Sequence, residues 1–407
     1  MKLLHTADWH LGKKLDHISR LPEQNEVMAE LCEIAKNQQV DAVLVAGDIF
    51  DNANPPIEAI ELFHKTLKTL ARNGECAVIV IAGNHDSPDR IAAPASWASD
   101  LGILLAAYPD TEVRPFVLES GLEVLKTDEG FVELRLAKCD TPLRLLLTPY
   151  ANELRLRQYL GEENSEETLR QLLEARWKRL ADTYCDKKGV NILVAHLFVM
   201  KKGEPAPEED EGERSVLMIG GAQQIYTENF PSQLQYVALG HLHRNQRISH
   251  DYPVIYSSSP LAYSMKEAEQ TKYAVIVQAE ANEPVQYERV ALTAGRKLYR
   301  KTFEDVSEAE TWLQANPNTI VEITLKVKEY LGQNERRTLY GAHEYIHSIV
   351  PQSEKTAESM QTFTDIDPND DIESLFVKYF TSKKKELPND EILTLFREVL
   401  AQEEKED

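Results

Sequence analysis

Seven residues of metal-binding type stand in this sequence, each just after an apolar run: Asp8, His10, Asp48, Asn84, His196, His241 and His243. They fall in five short patterns, Asp8-x-His10, Gly47-Asp48-x-x-Asp51, Gly83-Asn84-His85-Asp86, a lone His196, and Gly240-His241-x-His243. Four imidazoles, two carboxylates and an amide oxygen suffice for two divalent ions that share one carboxylate. Two cations so placed clamp a phosphate ester and activate water, so the chemistry to expect is phosphoester hydrolysis. Singly, each pattern is common, and an isolated His after a strand is usually a core or surface residue. All five in one chain, each at the end of a strand-like run, point to one shared site.

The runs that must position them are residues 2–5, 40–46, 76–82, 190–195 and 236–239. They are nearly continuous in apolar residues, as strands buried on both faces are. Helical patterns near 23–37 and 56–73 separate the first three. This βαβαβ alternation predicts a parallel sheet with right-handed crossovers. Ligands of such sheets collect beyond the carboxyl ends of the strands, where the motif residues fall. A longer helix is predicted over 165–186, opened by the capping pair Asn164-x-x-Glu167. Strand-like segments at 123–136, 143–147, 254–257 and 273–278 would build a second sheet, giving an α/β/β/α sandwich over residues 1–280.

Residues 281–355 read as a small α/β domain, with a helix at 307–315, a strand at 319–327 and a further helix near 342–347. A polar linker, 356–370, leads to two amphipathic helices within 371–407. Ile372, Leu375, Phe376, Tyr379 and Phe380 form one apolar stripe, and Ile392, Leu395, Phe396, Val399 and Leu400 the other;. Two uses remain open for this pair: a hairpin folded on its own chain, or a docking element for a partner helix.

At 407 residues the chain should hold two or three domains;. Its hydrophobic and charged fractions, 42% and 28%, are those of an ordinary soluble protein;. It contains no run of about 20 apolar residues that could cross a bilayer, and its N-terminus lacks the apolar core of a signal peptide. The four cysteines are scattered with no CxxC pair, the usage of reduced thiols in the cytoplasm rather than of a zinc site;. The net charge of −22 speaks against nucleic acid as partner, but its distribution weakens that objection. Residues 203–213 carry six acids and no base, and residues 351–407 carry 15 acids against seven bases. Lys13, Lys14, Lys201, Lys202, Arg244 and Arg247 lie near the metal-type loops, and two divalent ions would add positive charge there;. The chain has no GxxxxGK[ST] loop, so any ATP turnover would belong to a partner;.

The five patterns resemble the signatures of the calcineurin-like metallophosphoesterases. More closely, HTADWHLG (5–12), VAGDIFD (45–51), AGNHDS (82–87) and ALGHLHR (238–244) resemble the double-strand-break repair nucleases of that superfamily. The likeness is strong over 1–280, loose over the small domain and architectural at the C-terminus. It implies a four-layer α/β/β/α sandwich, a small α/β capping domain that helps seat duplex DNA, and a C-terminal helical hairpin gripping a coiled-coil ABC ATPase. It also implies Mn²⁺-dependent exonuclease and endonuclease action on DNA ends and hairpins, in repair, recombination and replication in the bacterial cytoplasm at the nucleoid. Homodimerisation through helices near 56–73 and 91–99, within a two-plus-two heterotetramer, belongs to the same expectation.

By motif, the resemblance gives Asp8, His10 and His243 to one ion, Asn84, His196 and His241 to the other, and Asp48 to both. His85 would act as general acid toward the leaving sugar oxygen, or stabilise transition-state charge. Asp86 would set the tautomer of His85 from behind, and Asp51 would also lie behind the ligands. Archaeal and eukaryotic relatives often carry His at the position of Asp51, so their handling of duplex ends does not transfer. A small-molecule or nucleotide phosphodiesterase with the same two-metal site is the rival reading. It accounts for the acidic surface but leaves the small domain and the terminal helices without a task. His5, His17, His64, His250, His343 and His347 lack motif context and read as structural or surface residues.

Overall fold

The computed structural model describes residues 1–159, 165–208, 224–327, 331–353, 372–384, 388 and 392–397. The chain divides into two units, Met1–Tyr299 and Arg300–Asp407. In the first unit the chain runs through β1 (Lys2–Thr6), α1 (Leu21–Asn37), β2 (Ala42–Ala46), α2 (Ile57–Ala71), β3 (Ala77–Ile81) and β4 (Ile103–Ala106). A meander of β5 (Glu123–Asp128), β6 (Phe131–Leu136) and β7 (Cys139–Thr148) follows, then helix α3 (Ser165–Tyr184). After it come β8 (Val190–His196), β9 (Tyr236–Gly240), β10 (Gln246–Ile248), β11 (Val254–Tyr256), β12 (Lys272–Gln278) and β13 (Gln286–Leu292).

These strands make two sheets, ordered β13-β12-β1-β2-β3-β4 and β10-β11-β9-β8-β7-β6-β5. In the first, β1 to β4 are parallel, as the βαβαβ pattern predicts. In the second, β7, β8, β9 and β11 are parallel. Successive side chains of a strand point to opposite faces. Leu4, Val43, Val45, Val78 and Val80 therefore pack outward against Val27, Met28 and Leu31 of α1 and Phe63, Leu67 and Leu70 of α2. Their neighbours Leu3, Leu44 and Ile79 face inward, against Val132, Leu145, Ile192 and Tyr236 of the second sheet. The outer face of that sheet, with Leu146, Leu193 and Val237, meets Leu169, Leu173, Trp177 and Leu180 of α3. Helix, sheet, sheet, helix: four layers with three apolar seams explain why the strands read as unbroken apolar runs.

The first unit extends past the expected boundary at residue 280, because β13 completes the first sheet by pairing antiparallel with β12. The second unit is built on a three-stranded sheet, β14 (Lys297–Phe303), β15 (Thr319–Val327) and β16 (Ile346–Ser353), in that order. Its helices are α4 (Val306–Ala315), where Asp305 caps the first turn by accepting from Glu308 N, and α5 (Gln333–Ala342);. The helix expected near 342–347 is thus displaced: α5 ends at Ala342 and the chain enters β16 at Ile346. In α6 (Ile372–Lys384), Phe376 stacks on Phe396 with ring centroids 3.9 Å apart. The predicted linker 356–370, most of the acidic loop beyond Glu208, and residues 398–407 lie outside the described residues. Among the described residues, no helix is long and apolar enough to cross a membrane.

Candidate metal centre

All seven metal-type residues occur where strands of the two sheets end. Asp8, Asp48 and Asn84 follow β1, β2 and β3, while His196 closes β8 and His241 follows β9. The loops are laced edge to edge: Asp8 N donates to Gly47 O, His10 N to Asp48 O and Leu11 N to Ile49 O, at 2.9–3.0 Å. Such tight reversals force the backbone of Asp8, His10, Asp48 and His241 to positive φ, at 55°, 43°, 48° and 107°. Each costs about 1–3 kcal/mol, a strain tolerated where the surrounding structure fixes the conformation. Two motif glycines serve close approach. A Cβ on Gly83 would sit 2.1 Å from Asp48 N, and one on Gly240 would sit 1.9 Å from Ala46 O.

The ligand-type atoms converge in two clusters. In one, His10 Nε2 and His243 Nε2 face each other at 2.9 Å, with Asp8 and Asp48 alongside. In the other, Asn84 Oδ1 lies 2.9 Å from His196 Nε2 and 3.0 Å from His241 Nδ1. Asp48 Oδ2 stands between them, 3.7 Å from His10 Nε2 and 3.4 Å from His196 Nε2. Ligand bonds of about 2.1 Å give neighbouring donors in an octahedral shell a separation of about 3.0 Å. The spacing in both clusters is therefore that of two divalent-ion shells sharing a carboxylate. Asp8 Oδ2, fully buried, finds no hydrogen-bond partner among the described residues, which a cation would remedy;.

Electrostatics favour the same reading. Burial drives the His241 pKa down to about 3 and that of His10 well below its usual value, so both rings are neutral, as metal ligands must be;. Burial lifts the Asp8 carboxyl to about 7. Burial would lower His196 too, but the carboxylates of Asp48 and Asp8 outweigh it and raise the ring to about 9. The carboxylates that act on His196 would equally draw a cation to the site;.

Around the candidate ligands, other residues fix orientation. His196 Nδ1 donates to Ala46 O at 2.8 Å, which leaves Nε2 for the centre;. Gln24 donates to His10 O at 2.8 Å, and Tyr263 donates to Trp9 O. Glu267 lies beside His243 and is locked to Lys272; burial would raise its carboxyl, but the Lys272 charge holds it down at about 2.

His85 is half-buried at the rim, with its ring centroid 4.9 Å from that of His10. Its Nδ1 donates to the backbone oxygen of Asp51 at 2.7 Å. Asp86, expected to set the tautomer of His85, is turned the other way. Its carboxylate accepts from Ile49 N, Phe50 N and Gly83 N at 3.1, 2.9 and 2.8 Å, stapling two ligand loops together. Sequence adjacency misled here, because three unpaired amides make a stronger claim on a buried carboxylate than one ring. The Asp51 side chain meets Lys13 at 2.6 Å. Arg155 was missed altogether: buried, it donates to Gly83 O, Asn84 O and Asp86 O at 2.6, 3.3 and 2.8 Å. Gln24, Tyr263, Glu267 and Lys272 were missed as well, since each acts through a distant backbone atom or a partner side chain and none sits in a motif.

Known proteins are similar to this chain in sequence. Residues 1–245 match the family model described as calcineurin-like phosphoesterase. The chain is 32% identical to the D subunit of the SbcCD nuclease from Bacillus subtilis (strain 168), with 100% of both chains covered. It is 33% identical to the protein of the same name from Rhodobacter capsulatus, over 66% of this chain and 64% of the other. With the Escherichia coli (strain K12) protein of that name identity is 28%, over 83% of this chain and 81% of the other.

Proposed function

The chain belongs to the calcineurin-like phosphoesterases, in the branch of the SbcCD nuclease D subunits, and we propose that it hydrolyses DNA phosphodiesters at two divalent cations, with Mn²⁺ as working ion. The observation that carries the proposal is the pair of donor clusters joined through Asp48 Oδ2. Imidazole nitrogen with carboxylate and amide oxygen, and no thiolate, is a donor set that suits Mn²⁺. Asp8, His10 and His243 would hold one ion, Asn84, His196 and His241 the other, and Asp48 both. When bound, such a pair lowers the pKa of water and neutralises the charge that builds on the phosphate.

The protein's own groups do the rest. His85, its Nδ1 committed to Asp51 O, has Nε2 left for the departing sugar oxygen and, as imidazolium, gives it a proton;. Arg155 and Asp86 keep His85 and Asn84 on station by gripping the loop from both sides;. Ala46 O and Glu267 orient the imidazoles of His196 and His243, and Gln24 holds the backbone of His10.

In this reading the second unit caps the nuclease and helps seat duplex DNA, and the terminal helices bind an SbcC-type coiled-coil ABC ATPase that supplies ATP turnover. The exposed apolar side chains Tyr379 and Leu395, 60% and 61% accessible, support a partner there. Two nuclease chains would pair in a two-plus-two assembly. Exposed Ile57, and exposed Trp97 at a cavity of about 290 Å³ that it lines with Phe50, Ile60, Phe63 and Pro94, support that contact. The work of such an assembly is cutting DNA ends and hairpins in repair and recombination. The direct test is purified protein with Mn²⁺ on hairpin DNA and, in parallel, on cyclic nucleotides. Hairpin cleavage is expected; turnover of cyclic nucleotides alone would favour a small-molecule phosphodiesterase.

A further inference from the structure

We propose that the groove lined by Asn245, Gln246, Arg247, Tyr287 and Arg289 binds backbone phosphates of DNA running to or from the metal centre, an inference that rests on the nuclease reading above. It is an open cavity of about 670 Å³ on the flank of the sandwich, where β10, the edge strand of the second sheet, comes near β13, the edge strand of the first.

Charge singles this surface out. The protein carries a net −22, and several bases near the metal loops are cancelled by acids. Lys13 pairs with Asp51 at 2.6 Å, Lys201 with Glu228 at 3.2 Å, and Arg244 with Glu208. Arg247 and Arg289 are exposed, and neither has an ion pair among the described residues, although Glu288 also lines the groove. Two uncompensated guanidiniums on one concave wall, with a single carboxylate among neutral amides and a Tyr ring, match a phosphodiester chain.

The wall is also built in advance. Arg289 lies over the ring of Tyr273 at 5.4 Å and reaches Asn245 Oδ1 at 3.4 Å. Asn245 in turn donates to Tyr256 O at 2.8 Å and Ser257 O at 3.2 Å. Gln246 is held by two hydrogen bonds to the backbone of Glu208, at 3.0 and 3.1 Å. Since Asn245 lies two residues past His243, the groove begins where the metal loop ends. A strand held at the centre by its scissile phosphate can continue along it. Contacts of this kind read charge and not sequence, so they suit an enzyme that takes any end.

The test uses the full chain with Mn²⁺ and a fluorescein-labelled phosphorothioate duplex, titrated by anisotropy from about 50 to about 200 mM salt. Arg247→Ala combined with Arg289→Ala should weaken binding and reduce the steepness of the log–log salt dependence by about 2, about 1 for each phosphate no longer neutralised. The double Lys variant should recover most of it. Arg247→Glu alone, at an exposed side chain, should weaken binding by itself. Hydrolysis of bis(p-nitrophenyl) phosphate, too small to reach the groove while held at the metal centre, should be unchanged in all three. Wild-type DNA affinity and salt dependence in the double Ala variant, with small-ester hydrolysis intact, would overturn the groove and spare the nuclease reading. An unmodified chain that hydrolyses the small ester but leaves natural DNA uncut would overturn both.

Discussion

Gly240→Ala tests whether the metal centre depends on how closely the two sheets approach. The added Cβ would lie 1.9 Å from Ala46 O and 2.9 Å from the Ala7 Cβ. Ordinary contact begins near 3.4 Å, so the end of β9 must retreat by about 1.5 Å. His241 and His243 retreat with it, and the carbonyl that aligns His196 is the very atom struck. Overpacking of this kind costs about 1–3 kcal/mol, which lowers the melting temperature by roughly 2–5 °C for a unit this size;. A misplacement of about 1 Å at a reacting centre costs about 100-fold in rate. Metal content by plasma emission, bis(p-nitrophenyl) phosphate hydrolysis and thermal melting together make the assay. The expected result is fewer than two ions per chain and a rate about 100-fold down. Gly341→Ala, where the Cβ would meet nothing within 4 Å, should leave both unchanged. If Gly240→Ala retains two ions and a rate within about tenfold of wild type, the close-approach reasoning is wrong.

His85→Gln should retain both ions yet cut DNA about 10²–10⁴-fold more slowly; metal analysis beside single-turnover cleavage checks this, and near-normal cleavage would strike His85 from the mechanism. Burial lowers the His5 pKa to about 3, with its Nε2 donating to Leu239 O and its Nδ1 accepting from the Tyr236 hydroxyl. The folded ring resists a proton that the unfolded chain accepts, so this contribution is full above about 6.5 and falls with pH toward about 3, by about 1.4 kcal/mol per unit. Between pH 6.5 and 5, His5→Gln should lose less melting temperature than the parent; parallel curves would refute the assignment. Trp97→Glu should convert a dimer to a monomer in sedimentation without slowing small-ester hydrolysis, and an unchanged dimer would place the contact elsewhere.

The site was legible where chemistry and strand ends coincide. Asp8, Asp48, Asn84, His196 and His241 each follow a run buried on both faces, and such runs are readable without an alignment. Arg155 was not legible, because its target is the backbone of Gly83, 72 residues away, and carbonyl oxygens leave no mark in a sequence. Asp86 was legible as important and misread in role, since adjacency in the chain says nothing about which way a side chain turns. The boundary at 280 failed because β13 is half-exposed on a sheet edge, so its alternation is weak. In the second unit, α5 buries only Leu339 among the residues of its helix, giving a faint periodic signal. Strand β16 carries Pro351, which an edge strand tolerates and which obscures a strand to the reader;.

The division of the proposed ligands between the sheets bears on how the molecule matures. Asp8, His10, Asp48 and Asn84 come from the first sheet, and His196, His241 and His243 from the second. Neither half can complete a shell by itself, so affinity for cations arises only once the apolar seam between the sheets has closed. By linkage, tight binding then holds that seam shut, adding about 2.7 kcal/mol for each site kept at a hundred times its dissociation constant. A nascent chain would acquire hydrolytic power last, after the sandwich is finished, and chelation would loosen the architecture as well as silence the chemistry.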